Sequence, residues 1–161
     1  MTYSSGPSVT DSDLASVNMT EALLLAANAD IIVACLGEGT YAEKPGDIED
    51  LSLAEGQRMY IEALAETGTP IVTVLVEGRP RLLNGVAELS TALLMAYQPG
   101  PMGGQAIVDA LYNQNGGSPA GRLPFTYPKN PSDIPYQYHR KPSDMCVDAS
   151  KNYVQCTVSL L

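Results

Sequence analysis

Apolar positions along the chain gather into three short runs, each preceded by a stretch with a helical pattern. The segment TEALLLAANA (Thr20–Ala29) is rich in alanine and leucine and predicts a helix with Thr20 as its N-cap. The β-branched run Ile31–Leu36 follows and stops at Gly37, the pattern of a strand buried on both faces, with Cys35 inside it as a small buried hydrophobe. Ile71–Val76 (IVTVLV) repeats the pattern after Pro70, and Thr91–Tyr97 (TALLMAY) is the third such strand. Between the first two strands, Ser52 with Glu55 three residues on predicts a capping box, and Gly68 stops the helix that it opens. Arg81–Leu89 reads as a short helix interrupted at Asn84-Gly85. Gly103–Gln114 reads as a longer one with Ile107, Ala110 and Leu111 on one face, closed by Asn115-Gly116-Gly117. Met1–Ser5 is a candidate first edge strand.

Short apolar strands alternating with helices of about a dozen residues predict an α/β fold. The expected architecture is a mostly parallel sheet with helices on both faces, a three-layer α/β/α sandwich. It spans residues 1–125, and a Pro/Tyr-rich extended tail over 126–161 wraps the surface without building a sheet. In such folds ligands gather beyond the C-terminal ends of the strands. The loops Gly37–Leu53, Glu77–Arg81 and Gln98–Gly104 each follow a strand and are expected to share that edge.

Charge narrows the class of partner. The 161 residues include 18 acidic and 9 basic side chains, a net charge of -9. A surface this acidic repels phosphate backbones, so nucleic acid is not an expected partner. No apolar run approaches the roughly 18 residues of a membrane span, and the first residues lack the basic and apolar regions of a signal peptide. His139 is the single histidine, and the three cysteines (Cys35, Cys146, Cys156) have no metal-ligand spacing, so neither a zinc site nor a histidine-based triad is expected. Cys146 and Cys156 flank a short polar segment and are candidates for a local disulfide in an exported chain. Asn18-Met19-Thr20 is an N-glycosylation sequon, whereas Asn130-Pro131-Ser132 is disqualified by its proline.

Two features carry candidate chemistry. Gly100-Pro101-Met102-Gly103-Gly104 joins a strand to a helix, as phosphate-binding turns do, but it lacks the G-x-G-x-x-G spacing and a P-loop lysine. It reads as a packing turn, and no cofactor is expected. The loop GEGTYAEKPGDIEDL sets Glu38, Glu43, Asp47, Glu49 and Asp50 within thirteen residues of a buried strand end. Residue types alone leave three readings open there: a solvated acidic loop, a calcium site without EF-hand spacing, or a carboxyl desolvated enough to act as a general acid.

The run ADIIVACLGEGTYAEKPGDIEDLSL resembles the glycoside hydrolase family 3 C-terminal domain, in which an apolar strand ends in Gly-Glu and is followed by Tyr-x-Glu and Gly-Asp. GTPIVTVLVEGRPRLL, LLMAYQPGPMGGQAIVDALYNQNGGSPAGRLPFTYP and IPYQYHRKPSD fit the same family in the same order, so the resemblance covers Thr20 to Asp144. It implies half of a retaining β-glucosidase-type hydrolase that releases terminal β-D-glucosyl units from β-glucosides or β-glucan oligosaccharides. An N-terminal (β/α)8 barrel supplies the nucleophile in that family, and this domain reaches over with a loop glutamate as general acid and base. By position Glu38 matches that glutamate, with Glu43 as the fallback. Tyr41 and Asp47 are expected to shape the loop, and Arg79 and Arg81 to hold it by ion pairs. Tyr127, Tyr136 and Tyr138 are assigned to interface packing, and Gly100, Gly103 and Gly104 to structure.

A barrel needs about 200 residues or more, and none precedes the first strand here, so this chain alone is expected to be inactive. The family implies a secreted or lysosomal/vacuolar enzyme. Two other readings stand beside it: a non-catalytic module binding carbohydrate or protein at the same strand-end edge, and a nucleotide-binding domain resting on the Gly100 turn alone.

Overall fold

The computed structural model describes residues 1–114, 119, 121–134, 145–147 and 153–155. Two compact units divide the chain, Met1–Ala120 and Gly121–Leu161. The first opens with irregular chain over the segment read as an edge strand, Met1–Ser5, and continues through α1 (Met19–Ala27), β1 (Ile32–Gly37), a 3-10 turn at Lys44–Gly46, α2 (Glu55–Ala65), β2 (Ile71–Val76), α3 (Val86–Leu89), β3 (Ala92–Met95) and α4 (Gly103–Leu111). The strands lie in the order β1-β2-β3, all parallel, with Ile32 opposite Ile71 and Val72 opposite Ala92. The expected α/β architecture on a parallel sheet is the one observed.

Burial departs from the expected pattern at the two outer strands. β2 is central, and Ile71, Thr73, Val74 and Leu75 are fully buried. β1 and β3 are the sheet edges. Ala34 and Leu36 of β1 are buried, while Val33, Cys35 and, on β3, Ala92 and Leu93 are exposed. The reading of Cys35 as buried, and of three strands buried on both faces, is corrected accordingly. An apolar run reports what a strand is made of, not how many neighbours it has.

Two helix starts also differ. α1 is capped by Asn18, whose Oδ1 accepts the Glu21 N–H at 3.3 Å, while Thr20 lies inside the helix. The predicted Ser52/Glu55 capping box does not form. Ser52 is drawn instead into a parallel bridge with Leu82, with the Leu53 N–H on the Leu82 carbonyl at 2.9 Å and the Leu82 N–H on Leu51 at 3.0 Å, and Ala54 takes the N-cap position of α2 without a side-chain bond. That bridge also takes the first residues of the helix expected over Arg81–Leu89. Gly68, in the left-handed region at φ 75°, ends the α2 segment as expected.

α2 turns Gln57, Tyr60, Ile61 and Leu64 inward, the spacing of one helical face. Gln57 is the polar member of that face, and it is buried. Its Oε1 accepts the Gly37 N–H at 2.8 Å and its Nε2 donates to the Gly37 carbonyl at 2.8 Å, so one side-chain amide stands in for a missing neighbouring strand at the end of β1. Nε2 also reaches the Val9 carbonyl at 3.4 Å. At the other end of the sheet the Thr69 hydroxyl donates to the Ala26 carbonyl at 2.8 Å and ties α1 to the start of β2.

In the second unit Phe125 and Tyr127 sit with ring centroids 6.3 Å apart, and Asp133 accepts the N–H groups of Lys129 and Asn130. β4 (Met145–Val147) and β5 (Tyr153–Gln155) pair antiparallel, Cys146 opposite Val154. The tail therefore does build a small sheet, contrary to expectation, from two short segments, MCV and YVQ, on either side of a polar stretch of sequence. The Cys146–Cys156 disulfide and the readings of Asn115–Gly117, Tyr136, Tyr138 and His139 lie outside the described residues.

Replacing Gln57 with leucine leaves both buried Gly37 groups without partners. At about 1–3 kcal/mol for each orphaned group, the variant is expected to lose about 2–6 kcal/mol in urea unfolding. A loss below about 1 kcal/mol would show that water takes over those groups.

Candidate functional site

Parallel strands deliver their following loops to one edge, and three loops meet there. The first begins at Gly37, where a Cβ would collide with the Val76 carbonyl oxygen, so this close approach of β1 to β2 requires glycine. Glu38 follows, its N–H on the Val76 carbonyl at 3.2 Å. Its side chain lies across the start of the second loop. Oε1 accepts the N–H groups of Gly78 at 3.1 Å and Arg79 at 3.4 Å. Oε2 accepts Arg79 Nε at 3.1 Å and stands 3.6 Å from Arg81 Nη1. Only 9% of the Glu38 side chain is accessible.

The two arginines carry this anchor into the acidic loop. Arg79 Nη1 donates to the Gly46 carbonyl at 2.7 Å, in the middle of the loop, and Arg81 Nη2 donates to the Ser52 carbonyl at 2.7 Å, at its far end. Glu77, fully buried at the end of β2, accepts the Arg81 N–H at 3.3 Å. The Glu38 carboxylate thus sits between two guanidiniums, and its charged hydrogen bonds fix the strand end.

Tyr41 completes the wall. The Arg79 guanidinium lies 3.8 Å from its ring centroid, a cation–π stack. A Cβ on Gly46 would come within 2.9 Å of Tyr41 Cβ, and one on Gly78 would strike the Tyr41 hydroxyl and approach Gln98 Nε2 to 2.8 Å. Gln98 comes from the third loop. Partial burial, and then the negative charge of Glu38, push the Tyr41 hydroxyl up from its ordinary value, against the opposing pull of Arg79.

Glu43 has a different setting. It is exposed, at φ 51°, and its carbonyl accepts the Gly46 N–H at 2.9 Å as the 3-10 turn begins. A non-glycine residue held there costs about 1–3 kcal/mol and persists only where its surroundings impose it. The Tyr41–Gly46 packing and the Arg79–Gly46 bond do so. Asp47 is exposed beyond that turn, its N–H on the Lys44 carbonyl, apart from the arginine cluster. Asp50 accepts the Ser52 N–H at 2.8 Å, which holds its carboxyl below its ordinary value. Among the described residues no three His, Cys, Asp or Glu side chains converge as metal ligands would.

Of the residues read from sequence, Glu38, Tyr41, Arg79 and Arg81 come together, Glu43 stands on the turn they hold, and Asp47 lies outside. Gln57, Glu77 and Gln98 were missed. Gln57 carried a signal, a polar residue in phase with Ile61 and Leu64.

The sequence profile described as the glycosyl hydrolase family 3 C-terminal domain matches residues 8–155. The chain belongs to that family. Among curated relatives, the lysosomal beta glucosidase of Dictyostelium discoideum is 42% identical over 128 residues, 79% of this chain and 15% of the relative. The periplasmic beta-glucosidase of Salmonella typhimurium is 35% identical over 119 residues, 73% of this chain and again 15% of the relative. This chain thus spans about 15% of the length of these relatives. Among solved structures, a beta-glucosidase from Listeria innocua in complex with glucose matches 96% of this chain and 21% of its own, with a TM-score of 0.77 and 25% identity. A β-glucosidase from Erythrobacter marinus matches at 34% identity and a TM-score of 0.66 over 84% of this chain and 19% of its own.

Two variants probe the clamp on this family 3 loop. Arg79→Lys keeps the charge but loses the planar fork that spans Glu38, Gly46 and the Tyr41 ring. Hydrogen exchange at the Gly46 and Asp47 amides is expected to speed up roughly tenfold, as for loss of about one net hydrogen bond. An unchanged rate would show that Tyr41 packing holds the turn alone. A hydroxyl whose pKa is raised on folding stabilises the fold below its unfolded value, about 10, and that contribution is lost as pH climbs through the folded value. Tyr41→Phe should therefore flatten part of the alkaline decline in the urea midpoint between pH 9 and 12 (roughly, around that value). Tyr60, also raised by burial, should retain the remainder.

Proposed function

We propose that this domain supplies the proton-transferring carboxyl of a retaining hydrolase that releases terminal β-D-glucosyl units, and that Glu43 carries the proton while Glu38 anchors the loop that presents it. Catalysis then needs a barrel carboxylate as nucleophile, about 5–5.5 Å from the acid, so this chain alone is inactive. In the first step the barrel carboxylate attacks the anomeric carbon. The acid protonates the glycosidic oxygen as that bond breaks. In the second, the same group, now a carboxylate, takes a proton from the water that attacks the glycosyl-enzyme.

The observation that carries the choice between the two glutamates is the environment of Glu38. A general acid has to present a proton outward to the leaving oxygen. Both oxygens of Glu38 instead face N–H groups of Gly78, Arg79 and Arg81, and its side chain is nine-tenths buried. Glu43, five residues on, is exposed on a turn that the same arginine clamps. The family and the names of the relatives support the substrate class: two beta-glucosidases are described above, and a Formosa agariphila relative 30% identical over 123 residues is a beta-xylosidase. A lysosomal or secreted setting is part of the proposal, supported by the lysosomal and periplasmic names of those two relatives.

The test restores the barrel, either as a full-length family enzyme carrying this domain or as a separate half mixed with it, and assays aryl β-glucosides and aryl β-xylosides. Glu43→Gln is expected to lower kcat about 10²–10⁴-fold on substrates with poor leaving groups. Azide should restore turnover on those with good leaving groups and yield a glycosyl azide. Glu38→Gln is expected to raise KM and lower kcat through a loosened loop, with no azide rescue. Azide rescue of Glu38→Gln, with Glu43→Gln near wild type, would transfer the role to Glu38. Turnover untouched in both variants would leave the domain a binding module.

A further inference from the structure

Asn18 opens the triplet Asn18-Met19-Thr20, an N-x-T sequon whose middle residue is not proline. The fold puts it at the surface, with Asn18 and Thr20 both exposed at the start of α1. Its amide is used asymmetrically. Oδ1 accepts the Glu21 N–H at 3.3 Å and supplies the helix cap, and Nδ2 donates to Glu21 Oε2 at 3.1 Å on the exposed side.

We propose that Asn18 is an acceptor for an N-linked glycan. This rests on the lysosomal or secreted setting proposed above, because the donor is a lipid-linked oligosaccharide pyrophosphate met in the secretory lumen. In the transfer a bond forms between Nδ2 and the anomeric carbon of the first sugar. The bond from that carbon to the pyrophosphate oxygen breaks, the lipid pyrophosphate leaves, and one Nδ2 proton passes to a base of the transferase. No oxidant or reductant is involved.

The fold tolerates the product for a specific reason. A glycosylated asparagine keeps its side-chain carbonyl and one N–H. Oδ1, the atom that caps α1, is unchanged, and the atom that gains the sugar is the one bonded to an exposed glutamate. The glycan and the cap are compatible because they use opposite ends of the same amide. The bulky, solvated sugar then stands off an exposed helix start.

The experiment expresses the full chain behind an export leader in eukaryotic microsomes, with a second sequon added at the C-terminus to report arrival in the lumen. The expected result is two endoglycosidase-sensitive steps for the wild-type chain and for Thr20→Ser, and one step for Thr20→Ala and for Asn18→Asp. Asn18→Asp keeps an N-cap oxygen, so its thermal midpoint should match that of the enzymatically deglycosylated wild type. A chain that carries the reporter glycan alone would overturn the proposal, as would a second glycan that survives Thr20→Ala. The added leader makes this outcome independent of where the natural enzyme resides. Fractionation of the full-length enzyme tests that compartment separately, and a cytosolic location would remove the donor and sink the compartment reading while leaving acceptor competence measured.

Discussion

The candidate site depends on one ion-pair junction, Glu38 against Arg79 and Arg81 at the ends of β1 and β2. A stretch of sixteen residues, Glu38–Leu53, has almost no regular structure of its own, only the single turn Lys44–Gly46. Chain of that kind takes a defined position only if something outside it absorbs the ordering entropy. Here each arginine spends one nitrogen on the Glu38 carboxylate and another on a loop carbonyl, Gly46 for Arg79 and Ser52 for Arg81. The junction is nearly buried, so removal of one charge leaves the others uncompensated, a loss of about 3–5 kcal/mol in comparable pairs. That is far more than a surface pair contributes, such as Arg58 with Glu55 and Glu62 on the exposed side of α2.

The junction in turn needs a fixed strand end, and among the described residues β1 is a sheet edge with no strand on one side. The Gln57 amide supplies the missing donor and acceptor at Gly37, one residue before Glu38. Helix α2 therefore sets the position of the loop from behind while the arginines set it from in front. Gly37 and Gly78 allow the backbones and Tyr41 to come close enough for both sets of bonds to form at once. A β-carbon at either position would hold the loops apart, so these glycines matter for their missing atom.

Much of the fold was legible because parallel strands announce themselves as apolar runs between helices, and the rule that their loops share an edge brought Glu38, Tyr41, Arg79 and Arg81 to one place on paper. What failed was local detail decided by distant partners. Ser52 has the sequence of a helix cap, but Leu82, thirty residues away, claims its backbone. Cys35 and Leu93 read as core because periodicity does not count neighbouring strands. Thr20 and Asn18 are both good caps in type, and only the helix phase chooses between them. Residue type likewise does not rank Glu38 against Glu43. Both are glutamates in one acidic loop, and what separates them is a pair of arginines some forty residues on.

That separation bears on what the domain can do by itself. A carboxyl serves as a general acid near neutral pH when its surroundings favour the protonated form, by removal of water or by a second carboxylate close by. Both oxygens of Glu38 face N–H donors of the second loop, so that junction serves to fix the loop in place. Glu43 stands exposed on the clamped turn, open to a surface that closes over it. In the reading proposed above, the clamp contributes placement, and the docked sugar and the opposing carboxylate contribute the desolvation and the repulsion. On that reading, the chemistry arises where the strand-end edge meets the surface that holds the nucleophile.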